Sequence, residues 1–294
     1  MDYTNCTLCP RACGVNRAAG ELGYCGLPGR VRVAKLMRHF WEEPVLAGPG
    51  GSGAVFFSGC TLGCRFCQND AISREAVGLE SDSKALRRAM EELIAQGAEN
   101  IDLVTPTQFL PDLLPALTPR LPVPVVYNCG GYERVETLRA LEGLVDIYLP
   151  DLKYADGALG ARLSGAGDYF SVATRAIEEM VRQTGPYRME GERMVGGVLI
   201  RHLILPGQIE NSLRVLDWIG ETFPKGTVLV SLMRQYTPMP RVMGMPPFDR
   251  RVTEEEYQAV LSWMYLNDLE GFTQEAEAAS QSYIPDFLNS GKES

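Results

Sequence analysis

From residue 54 onward, short apolar runs alternate with segments whose apolar positions recur at helical spacing. The runs are Ala54–Phe57, Ile101–Val104, Val123–Tyr127, Val145–Leu149, Val198–Leu205 and Val228–Leu232. Each is short, mostly β-branched or aromatic, and reads as apolar on both faces. That is the pattern of a parallel strand covered on both sides. Between the runs, Leu86, Met90, Leu93 and Ile94 keep a helical stripe, with Ser81, Asp82 and Ser83 as candidate N-caps and Gly97 as the stop. Ile177, Met180 and Val181 keep another, closed by Gly185-Pro186, and a third helix is expected near 210–220. Thr253 and Glu256 have capping-box spacing ahead of Tyr257, Val260, Leu261 and Met264. Six strands with intervening helices predict an α/β fold built as a partial (βα)6 barrel, because a closed barrel needs eight units.

The ends of the chain differ from this middle. Residues 1–50 show little periodicity and are rich in Cys, Gly and Arg. They read as an irregular Cys-rich extension that a metal would help to fold. The run Gly48-Pro49-Gly50-Gly51-Ser52-Gly53 marks a boundary before a barrel over 51–235. Residues 236–294 begin with a Pro-rich loop, continue into the capped helix, and end in a mixed tail. Tyr283-Ile284-Pro285-Asp286-Phe287 is apolar enough to be expected to dock back on the barrel.

Composition narrows the partners more than the fold. The 294 residues are 45 % hydrophobic and carry a net charge of −9. The first value allows a sizeable core. The second argues against a nucleic-acid backbone as main partner, which needs a basic face. No apolar stretch is long enough to cross a membrane and no secretory leader is visible, so the expected location is cytoplasmic. In a reducing compartment the 8 cysteines are better metal ligands or reactive thiols than disulfides.

Those cysteines cluster. Cys60, Cys64 and Cys67 lie on one short loop directly after the first barrel strand, where barrel folds place their chemistry. Three close thiolates suit an iron–sulfur cluster, and a four-iron cluster with three protein ligands keeps one iron open. A zinc knuckle needs a fourth ligand, and the chain has only two histidines, His39 and His202. Cys6, Cys9, Cys13 and Cys25 provide four ligands, enough to close a second site as structural zinc or a second [4Fe-4S] cluster; two disulfides are the remaining alternative.

The Cys-x3-Cys-x2-Cys spacing, with Phe66 before the last Cys, resembles the cluster loop of radical S-adenosylmethionine (SAM) enzymes. That resemblance implies a [4Fe-4S] cluster on Cys60, Cys64 and Cys67 whose open iron chelates SAM. It also implies reductive cleavage to a 5′-deoxyadenosyl radical that abstracts hydrogen from substrate.

Further segments resemble the pyruvate formate-lyase activating enzyme branch over roughly 55–235. They are Asp151-Leu152-Lys153, the segment around Arg201 with Pro206-Gly207, and Asn128 in the turn after the third strand. With the Cys-rich start and His39-Phe40-Trp41-Glu42-Glu43-Pro44, the whole chain looks like a subgroup named as activating-enzyme homologues. The resemblance implies that Asn128, Asp151, Lys153 and Arg201 contact SAM or balance charge near its carboxylate. The residues alone also fit a structural ion pair. His202 follows Arg201, alternates to the opposite strand face and reads as a packed core histidine.

In two places the chain departs from that pattern. Where the branch carries Gly-Gly-Glu for the SAM ammonium, this chain has Thr105-Pro106-Thr107-Gln108, leaving carbonyls or Thr hydroxyls as acceptors. Cys129 is either a small buried hydrophobe or a thiol near the radical path. The resemblance further implies reduced flavodoxin or ferredoxin as electron donor and a protein glycine as substrate. A peptide, nucleotide or small-molecule substrate, or a non-catalytic metal-binding redox scaffold, is the alternative.

Overall fold

The computed structural model of the chain describes residues 1–273, so the docking expected of Tyr283–Phe287 lies outside the described residues. Its strands are β1 (Val31–His39), β2 (Ser52–Phe57), β3 (Leu79–Ser81), β4 (Asn100–Val104), β5 (Val125–Cys129), β6 (Ile147–Pro150), β7 (Arg188–Glu190), β8 (Arg193–Leu203), β9 (Val228–Met233) and β10 (Gly271–Thr273). Its helices are α1 (Asp70–Ser73), α2 (Ser83–Ala95), α3 (Leu110–Ala116), α4 (Val135–Arg139), α5 (Gly157–Ser164), α6 (Tyr169–Thr184), α7 (Ile209–Thr222) and α8 (Glu254–Leu266).

The strands form one sheet in the order β10-β9-β8-β6-β5-β4-β2-β1-β3, with β7 paired to β8. From β2 through β9 the neighbours on this path run parallel and follow chain order. Each connection therefore crosses over through helical segments on one side, and the sheet has two unlike faces. On the helix-covered face, Val55, Phe57, Leu103, Tyr127, Tyr148, Ile200 and Val230 join the main core with Leu86, Met90, Ile177, Met180 and Leu216. On the inner face the apolar positions split into two small clusters, one around Val126, Leu149 and Leu199, the other around Ala54, Phe56 and Val104.

The capping signals do what their residue types allow. Asp82 accepts from the Ala85 N–H at the start of α2, and Thr253 and Glu256 form a reciprocal capping box on α8.

Residues 1–50 are not irregular throughout. Val31–His39 is a nine-residue strand, antiparallel to β2 across the Gly48–Gly53 run. Its register shifts between Val33 and Lys35, and such a bulge breaks the period-two pattern that would have marked it. Val45 and Leu46, beyond β1, close one end of the inner face: Asn100 Nδ2 donates to Leu46 O at 2.8 Å and Met194 N to Val45 O at 3.0 Å. The run Ile101–Val104 is not apolar on both faces, because Asp102 is buried at its centre with 1 % exposure.

His202 lies in the core as its strand position requires. It is 0 % exposed, with Nδ1 at 2.6 Å from Leu152 O and Nε2 at 2.9 Å from Ser212 Oγ. Burial pushes its pKa down to about 4. The folded chain thus binds fewer protons here than the unfolded chain between pH 6.5 and 4, so this contribution is present above 6.5 and lost as pH falls. Urea unfolding of wild type and His202→Gln is expected to show a stability gap that closes by about 3 kcal/mol over that range. A gap independent of pH would contradict a neutral buried imidazole.

Candidate functional site

The loop from Ser58 to Asn69 leaves β2 at its C-terminal end; its Ser58, Gly59 and Arg65 N–H groups donate to Arg32 O, Ile72 O and Leu163 O, and within it Cys67 N donates to Cys64 O. Gly59 turns it out of the strand at φ +75°, and a Cβ there would stand 2.5 Å from Leu27 Cδ1. Side chains from elsewhere satisfy its carbonyls. Gln108 Nε2 donates to Ser58 O (2.9 Å) and Gly59 O (3.2 Å). Arg11 donates to Thr61 O (2.9 Å) and Leu62 O (3.3 Å), and also to Ser164 O (2.8 Å) at the end of α5. Arg74 donates to Gly63 O. Phe66 is buried between Tyr154 and Tyr236, with ring centroids 6.4 and 5.8 Å away.

The thiols on this loop receive hydrogen bonds. The Leu62 and Gly63 N–H groups each lie 3.4 Å from Cys60 Sγ, and the Ser164 hydroxyl donates to Cys64 Sγ at 3.0 Å. Burial pushes the Cys60 thiol up and Cys67 up to about 12. A dry thiol of this kind becomes a thiolate at neutral pH only when a metal supplies the compensating charge. Among the described residues, no three His, Cys, Asp or Glu side chains converge on a point that could hold one metal ion. A single zinc needs sulfurs about 2.3 Å from one centre, whereas an iron–sulfur cluster spreads its thiolates over different irons. The hydrogen-bonded, partly buried three-thiol loop suits the cluster.

Cys6, Cys9 and Cys25 are buried, Cys13 is exposed, and all eight cysteines are free, so the disulfide alternative is not realised. Cys9 lies within electrostatic reach of Cys6 and Cys25, and Cys25 of Cys6 and Cys13. The fully buried Arg17 threads beneath them. It donates to Leu27 O (3.0 Å), Pro28 O (2.9 Å) and Gln108 O (2.6 Å), with Nη1 3.7 Å from Cys6 Sγ. One residue, Gln108, therefore links the N-terminal thiols to the base of the three-thiol loop.

Asn128, Asp151, Lys153 and Arg201 come together on the inner face. Lys153 Nζ is 2.6 Å from Asp151 Oδ2, Arg201 Nε is 3.1 Å from Asp151 Oδ1, and Arg201 Nη2 is 2.5 Å from Asn128 Oδ1. Burial would raise the Asp151 pKa, but the two cations hold it below the usual carboxylate range. Burial would likewise lower Lys153, and Asp151 raises it instead. All three ions are about 15 % exposed, so the network opens narrowly to solvent.

Sequence reasoning missed three acids here. Glu42 Oε1 is 3.4 Å from Arg201 Nη1, Asp102 Oδ2 accepts from Asn128 Nδ2 at 3.3 Å, and Glu43 is buried near Arg201. The Glu42-Glu43 pair inside an otherwise aromatic segment was the available signal. For Thr107 the hydroxyl reading needs correction. Thr107 Oγ1 donates to the buried Glu133 at 2.7 Å and accepts from Tyr127 OH at 3.1 Å, so it is not open to an ammonium. Cys129 is buried beside Glu133, whose pKa burial raises to about 8.

Residues 46–107 match the model of a 4Fe-4S single cluster domain. The chain is 29 % identical over 269 residues to an uncharacterized protein of Methanocaldococcus jannaschii, covering 88 % of this chain and 74 % of that one. Among solved structures it is similar to Streptococcus suis SuiB bound to precursor peptide SuiA, at 16 % identity and TM-score 0.50 over 74 % of this chain and 47 % of SuiB. It is also similar to a radical SAM methyltransferase from Sphaerobacter thermophilus, at 15 % identity and TM-score 0.47, over 75 % of this chain and 65 % of that one. The chain spans under half the length of SuiB, and at these identities the likeness to solved structures is one of fold. The 4Fe-4S match contains the three-thiol loop, and the likeness to SuiB is a likeness of fold.

Asp151→Asn removes the charge that two buried cations share. It is expected to destabilise the fold by about 3 kcal/mol, read as a lower urea midpoint at an unchanged slope. Wild-type stability in this variant would mean the two cations do not depend on Asp151.

Proposed function

We propose that this chain is a radical SAM enzyme whose [4Fe-4S] cluster is held by Cys60, Cys64 and Cys67. The carrying observation is the three-thiol loop at the C-terminal end of β2, with N–H and O–H donors on two of its sulfurs, inside the segment that matches a 4Fe-4S single cluster domain. A [4Fe-4S] cluster held by these three thiolates would supply the single electron for reductive cleavage of SAM, the source of hydrogen-abstracting chemistry on a substrate.

The chain's own residues set the conditions for that chemistry. The N–H and O–H groups on Cys60 and Cys64 stabilise thiolate charge in a dry setting. Phe66, Tyr154 and Tyr236 exclude water from the loop. Lys153 and Arg201 offer positive charge to the SAM carboxylate, and Asn128 and Asp151 fix the direction of Arg201. Cys6, Cys9, Cys13 and Cys25 hold a second metal site that steadies the N-terminal segment; of the two occupants, a [4Fe-4S] cluster or zinc, the cluster fits thiols that do not converge on one ion-sized point. We further propose abstraction from a protein glycine, by the motif resemblance to activating enzymes, with reduced flavodoxin or ferredoxin as electron donor in the cytoplasm.

Anaerobic reconstitution is expected to incorporate four irons if only the Cys60 loop is filled, and about eight if the N-terminal thiols hold a second cluster. Dithionite is expected to convert SAM to 5′-deoxyadenosine, and Cys64→Ala to abolish this. A fully loaded protein that never cleaves SAM would favour a metal-binding scaffold.

A further inference from the structure

The donors on Cys60 and Cys64 differ in kind. Cys60 Sγ takes the Leu62 and Gly63 N–H groups of its own loop, both at 3.4 Å, and such donors come with the backbone whatever the side chains. Cys64 Sγ takes a side-chain hydroxyl, that of Ser164, 100 positions away at the end of α5 and at 3.0 Å. Ser164 is 3 % exposed, so its hydroxyl is shielded from water. A Ser in a last helical turn can bond back to the carbonyl four residues earlier. Here that carbonyl, Gly160 O, is taken by the Gly165 and Ala166 N–H groups instead.

A hydroxyl carries one hydrogen. Ser164 gives its hydrogen to Cys64 Sγ, so Tyr154 is the donor in the 2.7 Å contact between the Tyr154 and Ser164 hydroxyls. Tyr154 is fully buried, and its ring meets Phe66 and Tyr169 edge-on, with centroids 6.4 and 5.1 Å away, which fixes where its hydroxyl lies. The end of α5 is held by its backbone as well. Arg65 N donates to Leu163 O at 2.8 Å from the thiol loop, and Arg11 Nη2 to Ser164 O at 2.8 Å from the N-terminal segment. Tyr154, Ser164 and Cys64 thus form a directed chain, hydroxyl to hydroxyl to sulfur, in which each bond polarises the next. Lys153 also lies within electrostatic reach of Cys64, but Asp151 engages its charge at 2.6 Å.

A cluster on these thiolates carries one more negative charge when reduced than when oxidised, so a donor aimed at a ligand sulfur favours the reduced state. We infer that Ser164 sets the reduction potential of the cluster at Cys60, Cys64 and Cys67, with Tyr154 as the positioning residue that keeps the Ser164 hydrogen on sulfur. The inference rests on the proposed cluster and deepens that reading by naming the side chains that govern how easily it takes up its electron.

An anaerobic redox titration of the reconstituted full-length chain measures this potential. It follows the electron paramagnetic resonance signal that Cys64→Ala loses, which belongs to the loop cluster whatever the N-terminal thiols hold. Ser164→Ala is expected to shift the one-electron equilibrium about tenfold towards the oxidised cluster, the low end for a hydrogen bond to a charged acceptor and about 59 mV more negative. Tyr154→Phe is expected to shift it the same way by about threefold. In the Ser164→Ala background Tyr154→Phe is expected to add nothing, because Tyr154 acts through Ser164. An unchanged potential in Ser164→Ala, or an undiminished Tyr154→Phe shift in that background, would overturn the inference. Should Tyr154→Phe fail to fold, Ser164→Ala decides alone. A wild-type chain with no signal for Cys64→Ala to remove overturns the proposed cluster and the inference with it. A chain that shows the expected shifts yet never cleaves SAM loses the radical chemistry and keeps the inference.

Discussion

A buried loop without regular secondary structure must find a donor for each carbonyl that water cannot reach. The segment carrying Cys60, Cys64 and Cys67 is under that constraint, and much of the surrounding structure answers it. Gln108, Arg11 and Arg74 supply the donors from three different parts of the chain. Arg11 belongs to the N-terminal segment, and its guanidinium also stacks on Tyr24 and Tyr132, 4.0 and 5.0 Å from their ring centroids. Arg17 then ties Gln108 back to Leu27 and Pro28. The N-terminal thiols and the three-thiol loop are thus parts of one hydrogen-bonded assembly. Two arginines, Arg11 and Arg17, whose fixed forks make several bonds each, join the two segments.

The second constraint is charge on the inner face of the sheet. The helix-covered face is continuous and apolar, but the inner face is split by a polar layer on β4, β5, β8 and the end of β6. Asn128 is its hinge. Its amide oxygen accepts from Arg201 and its nitrogen donates to Asp102 and Glu42. An arginine and three or four acids in a dry layer hold together only while every partner is present, since removal of one leaves an unpaired buried charge. The layer also lies on the side where Lys153 reaches towards Cys60 and Cys64, which puts it next to the thiol loop.

Several features were legible in the chain because they rest on local rules. Six of the parallel strands, β2, β4, β5, β6, β8 and β9, announced themselves as apolar runs, whereas β10, parallel to β9, did not; α2 and α6 showed stripes and stops, α8 its capping box, and α7 only its approximate place. Asp82 and Thr253 cap as their side chains dictate. The Cys60 loop followed from spacing and aromatic context. His202 was placed correctly by alternation alone, since Arg201 and its neighbour must face opposite sides of β8. Features that depend on distant partners were not legible. The bulge in β1 disguised a strand. Thr107 looked like an available acceptor until Glu133 and Tyr127 occupied it. Asp102 looked like one charge inside an apolar run, and nothing nearby in sequence marks it as part of a network with residues 42, 128 and 201.

The sequence by itself determined the period of each element, the caps, and the number and spacing of thiols, because those are set by neighbours within a few residues. Only the tertiary structure decided which carboxylates meet which cations and which donors satisfy the thiol loop. These pairings join distant residues, 159 positions apart in the case of Arg201 and Glu42. Their register is set by how parallel strands stack side by side, a quantity that no local pattern carries.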